Sequence, residues 1–392
     1  MARTKLISIL GVAALVAAQV VDRTVLLQSP PDACSTPAVL DARTNIWKEY
    51  TLHTDPYYRI KVEKAVEAIQ DVELRDKASK VADVGTFMTT VDDIQDLADI
   101  ANTVPCTDII GLVLDNLPYK GQAPEGLAFN QTIVQYQASY IDSIVETIRS
   151  SSNTSFAVIV EPRAFLAYFN DTTNIDLAKS YRENIPYALK ALNLPNVITY
   201  LDVGNSNSMD WDRQRNVAAK EIIDIYQAAG SPSQFRGFAT NVANFNSWDL
   251  LPGEFVPADD SRYTRPQNEQ QFIRILSDAL NKNRMLPQAV HAIMDTSRNG
   301  VSGLRESWDD WCNVNGAGFG IRPTAQTGDE RLDAFLWVKQ PGESDGTSDP
   351  TGPGYDSSCG KEDALKHAPT GGSWYQAYFE MLIHNSNLSL RM

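Results

Sequence analysis

Histidine, cysteine and positive charge are all scarce in this chain, and each scarcity removes a class of function. Four histidines occur in 392 residues: His53, His291, His367 and His384. None forms an HExxH or other close ligand pair, so no catalytic zinc and no other metal is expected. His291 lies inside an apolar run and reads as a core or cleft residue. The four cysteines, Cys34, Cys106, Cys312 and Cys359, include no CxxC spacing, which argues against a thiolate zinc site. Lysine and arginine number 34 against 49 aspartates and glutamates, a formal charge of −15. Nucleic acid and anionic membrane surfaces both want clustered cations, so neither is expected as a partner. A GxSxG elbow is absent, which removes the support for a serine hydrolase. Gly316-Ala317-Gly318-Phe319-Gly320 lacks both the GxGxxG spacing and a preceding strand, so no nucleotide cofactor is expected, nor any other. No Ser/Thr/Pro tract and no repeat at solenoid spacing divides the chain.

What is present begins with an address. Arg3 and Lys5 precede a 13-residue apolar run, Leu6 to Ala18, too short to span a bilayer, with small residues at its end. Residues 1–18 therefore read as a signal peptide, 19–40 as a short leader with Pro30 and Pro31, and 41–392 as a single domain. Export makes the protein a secreted, extracellular one and makes the even cysteine count a disulfide framework, for which counting alone allows three pairings. Sequons at Asn130, Asn153, Asn170 and Asn387 fit the same compartment as glycosylation sites.

Seven apolar, β-branched runs punctuate the domain: Gly85–Thr90, Ile109–Asp115, Phe156–Pro162, Val197–Gly204, Gly237–Asn244, Ala289–Asp295 and Ala334–Lys339. Continuous apolar runs mark strands covered on both faces, as in parallel sheets. Helical patterns lie between them, at Ile133–Arg149, Asn174–Leu192, Trp211–Ala228 and Asn268–Asn283. Alternation of this kind predicts an α/β barrel, with a doubly wound open sheet as the alternative. The runs end in Asp115, Glu161, Asp202, Asn244, Asp295 and Lys339. Each alone reads as a helix cap, but six hydrogen-bonding residues together predict a polar cleft at the carboxyl ends of the strands.

Aromatic residues cluster after these ends: Trp211, Trp248, Trp308, Trp311, Trp337 and Tyr355. Flat rings suit the apolar faces of sugars, while Asp, Asn, Lys and Arg suit their hydroxyls. Trp308 and Trp337 are expected in the core instead. Cleaving a glycoside needs two carboxyl groups across the bond, and the Gly-rich loop from Lys339 carries three acids, Glu343, Asp345 and Asp349.

Several stretches carry a specific resemblance. They are Leu194 to Gly204 (LPNVITYLDVG), Arg236 to Asn246 (RGFATNVANFN), Trp308 to Asn313 (WDDWCN), Gly316 to Pro323 (GAGFGIRP), and Phe335 to Lys339 continuing to Asp349 (FLWVKQPGESDGTSD). In this order they resemble glycoside hydrolase family 6, the cellobiohydrolase II and endoglucanase family, from about Asn45 to Leu390. The resemblance implies a distorted seven-stranded parallel β/α barrel and inverting hydrolysis of β-1,4-glucan in a loop-covered cleft. It implies Asp345 as the candidate base, with Asp202, Asn244, Lys339, Glu343, Trp211 and Trp311 binding substrate. It also implies a Cys312–Cys359 disulfide, which leaves Cys34 and Cys106 to pair by elimination. A β-glucan or other oligosaccharide is the expected partner, and the chain is expected to act as a monomer.

Departures from the family pattern fall where the chemistry is concentrated. The family's proton-donor aspartate follows a Glu-Pro pair; here Glu161-Pro162 is followed by Arg163. A second helping aspartate is replaced by Gly121, and Gln122 stands where one family cysteine would be. Asn205 and Ser208 replace a histidine and a tryptophan, and His53 stands near an outer-cleft tryptophan position; all three are expected to bind substrate. A guanidinium stays protonated and cannot serve as an acid. Asp115 and Glu161 remain as substitute acids, Glu161 only if the strand end is irregular. Three readings follow: a strongly impaired glucanase, a non-hydrolytic glucan-binding pseudoenzyme, or an enzyme for a different, anionic glycan held by Arg163 and Lys120.

Overall fold

The apolar runs become strands because a layer of side chains covers each of their faces. The computed structural model describes residues 34–89, 94–120, 132–171, 173–207, 211–256, 265–282, 286 and 288–386. The signal peptide and most of the leader lie outside the described residues. Eight strands form one all-parallel sheet: β1 (Thr51–Leu52), β2 (Met88–Thr89), β3 (Asp108–Leu114), β4 (Ser155–Val160), β5 (Val197–Asp202), β6 (Phe235–Thr240), β7 (His291–Asp295) and β8 (Leu332–Leu336). β1 and β2 share one edge of β3, pairing with Asp108–Ile109 and Leu112–Val113, so the sheet has seven positions in the order β3 to β8 beyond that split edge.

Side chains alternate across the sheet as the strand period of two requires. Ile109, Val113, Ala157, Ile159, Ile198, Tyr200, Ala239, Ile293, Ala334 and Leu336 fill the interior of the curl. Ile110, Leu112, Phe156, Val158, Phe238 and Met294 face outward into a larger core with the flanking helices. Those helices include Ile133–Ser150, Ile175–Ala191, Trp211–Ala228 and Glu269–Lys282, within a residue or two of the periods read from the sequence. The first has a π-helical stretch at Tyr136–Ile141.

The curl closes weakly. Between the β2 and β8 ends, among the described residues, one backbone bond crosses the seam, from the Phe87 N–H to the Trp337 carbonyl (3.0 Å). Next to it lies a cavity of about 580 Å³ lined by Trp47, Tyr50, Leu52, Arg322, Ala334 and Leu336, among others. At the amino ends of the strands Arg236 donates twice to Asp333 (2.8 and 2.7 Å), and Tyr200 donates to the same carboxylate (3.1 Å). His291 sits 3.4 Å from Asp333 in this floor, and burial lowers its pKa.

A second apolar cluster, with Tyr58 and Val62 of the helix Pro56–Ala68 and Phe379 and Leu382 of the helix Gln376–His384, packs around Phe319 and Trp337. It fixes the loop after β8: Tyr58 donates to the Pro341 carbonyl (2.9 Å), the Tyr375 N–H to Gly342 (2.8 Å), and the Ser344 N–H to Ser373 (2.9 Å). Trp337 is fully buried as expected, but Trp308 is 45% exposed. Trp308 lies in a loop rather than on a strand, so nothing covers it as the core was expected to do. Among the described residues no helix is long and apolar enough to cross a membrane.

Candidate active site

The loops at the carboxyl ends of the strands hold two groups of charge. The first centres on Asp345. Its Oδ2 accepts from Arg298 Nη1 (2.6 Å) and from the Asn313 N–H (2.8 Å), while its own N–H donates to Asn313 Oδ1 (2.8 Å). Oδ1 receives no bond from any described residue, which leaves it for a water molecule. Arg298 is wholly buried, lies 4.4 Å over the Phe245 ring and donates to the Ala243 carbonyl (2.8 Å). Burial works against its charge, but the Asp345 carboxylate more than offsets this and raises the guanidinium pKa. Arg298 follows β7 by three residues, and sequence reasoning missed it. The signal was an arginine just past a strand end, the same one used for Arg163.

The second group surrounds Arg163. Both Glu161 and Arg163 have positive φ, 51° and 66°, so the end of β4 is indeed irregular. The turn does not aim Glu161 at the cleft. That carboxylate is 0% exposed and accepts from the Asn116 and Leu117 N–H groups (2.9 Å each), Lys120 (2.8 Å) and Tyr136 (2.9 Å). Tyr136 is the first residue of the π-helical stretch. No sugar oxygen reaches a carboxyl enclosed in this way. Asp115 is also taken: Oδ1 pairs with Lys120 and Oδ2 with Arg163 Nη2 (3.3 Å). Lys120 is 4% exposed between its two acids, while the Arg163 side chain is 44% exposed.

Asp202, at the end of β5, stands apart from both acids. It is 2% exposed, and Oδ1 accepts the N–H of Arg163 (3.0 Å) and of Gly204 (3.2 Å). Gly204 has φ +83°, which a side chain would resist, and an added Cβ would collide with Leu166. Burial pushes the Asp202 carboxyl up to about 7, against the two backbone bonds and the charges of Lys120 and Arg163.

The remaining candidates divide between cleft and scaffold. Asp295 is structural: its carboxylate accepts the N–H groups of Ser297, Ala243, Val338 and Lys339, tying together the loops after β6, β7 and β8. Asn244 accepts from Arg305 (2.9 Å). Glu343 pairs with Lys61 (2.7 Å) and Lys339 (3.4 Å). Burial pushes the Glu343 carboxyl up, but the two ammonium groups outweigh it and hold it below the ordinary glutamate range. Trp311 is half-buried, two residues before Asn313. Asn205 is buried and accepts from the Asn207 N–H (3.1 Å). Trp248 packs edge-on against Phe335, on the side of the sheet away from the cleft interior.

His53 is not brought to this face. Its Nδ1 lies 3.0 Å from Asp108, the first residue of β3, roughly 20 Å from the far end of that strand. β1, which precedes His53, is only two residues long and pairs with the start of β3, and no run in the sequence marked it. Ser208 lies outside the described residues, as do Gly121, Gln122 and the side chain of Trp211. Of the sequons, Asn170 is exposed at a helix end, Asn153 donates to the Cys34 carbonyl (3.0 Å), and Asn130 and Asn387 lie outside the described residues. Among the described residues no cluster of His, Cys, Asp and Glu could hold a metal ion.

Cys312 is bonded to Cys359 and Cys34 to Cys106. The first bridge spans 47 residues and lies against Gly346, next to Asp345. Replacing Cys312 and Cys359 by Ser is expected to cost about 2–5 kcal/mol of stability. It should also slacken the loop that positions Asp345, lowering kcat more than it changes KM. Thermal unfolding and steady-state kinetics check the two effects separately.

The description Glycosyl hydrolases family 6 matches residues 47–386. The 1,4-beta-D-glucan cellobiohydrolase CEL6C of Podospora anserina is 43% identical, over 98% of this chain and 100% of that protein. The 1,4-beta-D-glucan cellobiohydrolase C of Emericella nidulans is 35% identical, over 89% of this chain and 80% of that protein. The structure of cellobiohydrolase II (Cel6A) from Humicola insolens in complex with glucose and cellotetraose superposes with a TM-score of 0.79 at 34% identity, covering 88% of this chain and 99% of that one. CcCel6C of Coprinopsis cinerea, a glycoside hydrolase family 6 enzyme, gives a TM-score of 0.78 at 25% identity, over 88% and 98% of the two chains. By sequence along most of its length and by its curled parallel sheet, the chain belongs to glycosyl hydrolases family 6.

Proposed function

We propose that this protein binds β-1,4-glucan in the cleft above the strand ends and hydrolyses it by inversion, with Asp345 as base, at a strongly reduced rate. Relatives named as 1,4-beta-D-glucan cellobiohydrolases support the substrate class. One observation carries the reduced rate: Arg163, paired with Asp115, fills the position after Glu161-Pro162 from which the departing sugar should receive its proton. General acid catalysis is typically worth about 10²–10⁴-fold, and a guanidinium cannot supply it. A glucan fits better than an anionic glycan. Lys120, the second cation such a ligand would need, is buried and already bonded to Asp115 and Glu161. The signal-peptide pattern of residues 1–18 and the two disulfides, which persist in oxidising compartments, support export. Of the two described sequon asparagines, the exposed Asn170 is better placed for glycosylation than Asn153, which is tied to the Cys34 carbonyl.

Purified protein should hydrolyse cellotetraose at least about a hundredfold more slowly than a relative with the acid in place. β-Cellobiosyl fluoride, whose leaving group needs no proton, should be turned over far better relative to that relative. Calorimetry should show heat with cello-oligosaccharides. Brisk cellulose hydrolysis would refute the loss of rate, and absence of heat would refute glucan binding. Heat without turnover of either substrate would leave a glucan-binding protein that is no enzyme.

A further inference from the structure

We propose that Asp202 is the proton donor for the hydrolysis this chain retains, an inference that rests on the glucan reading above. The acids around Arg163 differ in what is left unclaimed on them. Glu161 takes donors on both oxygens and is sealed from the cleft. Asp115 has Lys120 on one oxygen and Arg163 on the other. Asp202 directs both of its bonds to Oδ1, from the N–H groups of Arg163 and Gly204. Its Oδ2 has no partner among the described residues.

That asymmetry suits a neutral carboxyl. The carbonyl oxygen accepts two backbone N–H groups, and the hydroxyl oxygen is left to donate. The charged and titratable groups facing Asp202 are Arg163 after β4, Lys120 after β3 and the Tyr181 phenol of the helix Ile175–Ala191. The two cations favour ionisation, yet burial prevails and holds the carboxyl near pH 7, so it is protonated in mildly acidic solution. The backbone N–H of Arg163 donates to Asp202 Oδ1 (3.0 Å), so the proposed acid lies directly beside the residue that stands at the family's donor position. With 2% exposure, Asp202 can serve only a sugar seated deep in the cleft.

The step balances as an inverting hydrolysis. The Asp202 O–H bond breaks and its proton passes to the glycosidic oxygen. The C1–O bond breaks with its electron pair leaving on the departing sugar. A water oxygen bonds to C1 and gives its proton to Asp345 Oδ1. Solvent then returns a proton to Asp202 and takes one from Asp345.

Asp202→Asn is the decisive variant, because an amide still accepts the Arg163 and Gly204 N–H groups while losing the acidic proton. Full-length protein is assayed across pH with cellotetraose and β-cellobiosyl fluoride, with folding checked by thermal unfolding. Asp202→Asn should lower kcat/KM for cellotetraose at least about a hundredfold while holding fluoride turnover within a few-fold. The wild-type rate on cellotetraose should fall as pH rises through about 7, and the fluoride rate should lack that limb. Asp202→Glu should keep part of the cellotetraose activity, and Asp115→Asn should leave the limb in place. Equal losses on both substrates would mark Asp202 as a positioning residue and overturn the proposal. So would undiminished cellotetraose hydrolysis in Asp202→Asn, a limb that disappears with Asp115→Asn, or a wild-type protein that binds cello-oligosaccharides but turns over neither substrate. Absence of binding heat would instead reject the glucan reading itself.

Discussion

Arg163→Asp is expected to raise cellotetraose hydrolysis by about 10²–10⁴-fold, the usual contribution of a general acid. The substitution should also be accepted by the fold. Residue 163 has φ 66°, a left-handed conformation that aspartate visits more readily than arginine. The Arg163 side chain is 44% exposed and makes one long contact, to Asp115, which Lys120 still holds after the change. A new carboxyl there stands near Asp202 and Asp115, and like charges raise one another's pKa, which suits a group that must stay protonated to act. Adding Gly121→Asp should raise the rate further if the second family aspartate assists. Fluoride turnover should change little, because that substrate needs no proton. A gain on the fluoride equal to that on cellotetraose would mean that Arg163 blocks the cleft rather than merely failing as an acid.

Asp345→Asn is expected to act in the opposite sense and on both substrates. Removing the base should lower kcat on the fluoride and on cellotetraose alike by about 10²–10⁴-fold, with a smaller change in KM. Stability should fall too. Arg298 is 0% exposed, and among the described residues Asp345 is its one carboxylate partner. Stranding a buried charge typically costs about 3–5 kcal/mol, which thermal unfolding would register. A variant that lost stability but kept fluoride turnover would show that Asp345 is a structural counter-ion and that the base lies elsewhere.

The two predictions differ in how far the sequence alone could have led to them. Arg163 was legible because it breaks a recognised run: Glu161 and Pro162 are kept, and the next residue is changed. The role of Arg298 was not legible, because its meaning comes from Asp345, 47 positions away, and from Phe245, 53 positions away. The same limit separated the acids. Asp115, Glu161 and Asp202 share one signature, a carboxylate ending an apolar run, and the sequence ranked Asp115 and Glu161 as substitute donors. Their hydrogen-bond partners come from other loops, and those partners are what motivate proposing Asp202 instead. His53 shows the complementary failure, since a two-residue strand carries no periodicity from which its register could be read.

All strands but β1 were visible because burial on both faces writes a continuous apolar run, and four main helices were visible because burial on one face writes a 3.6-residue period. Apolar patterning therefore indicated parallel strands alternating with helices and a polar face at their carboxyl ends, while the family and its distorted barrel came from the resemblance of particular stretches. Tertiary structure alone decided which carboxyl is sealed, which is paired and which keeps an oxygen free. Charge and protonation depend on what surrounds a group within a few ångströms, and in this fold those neighbours are supplied by segments distant in the chain.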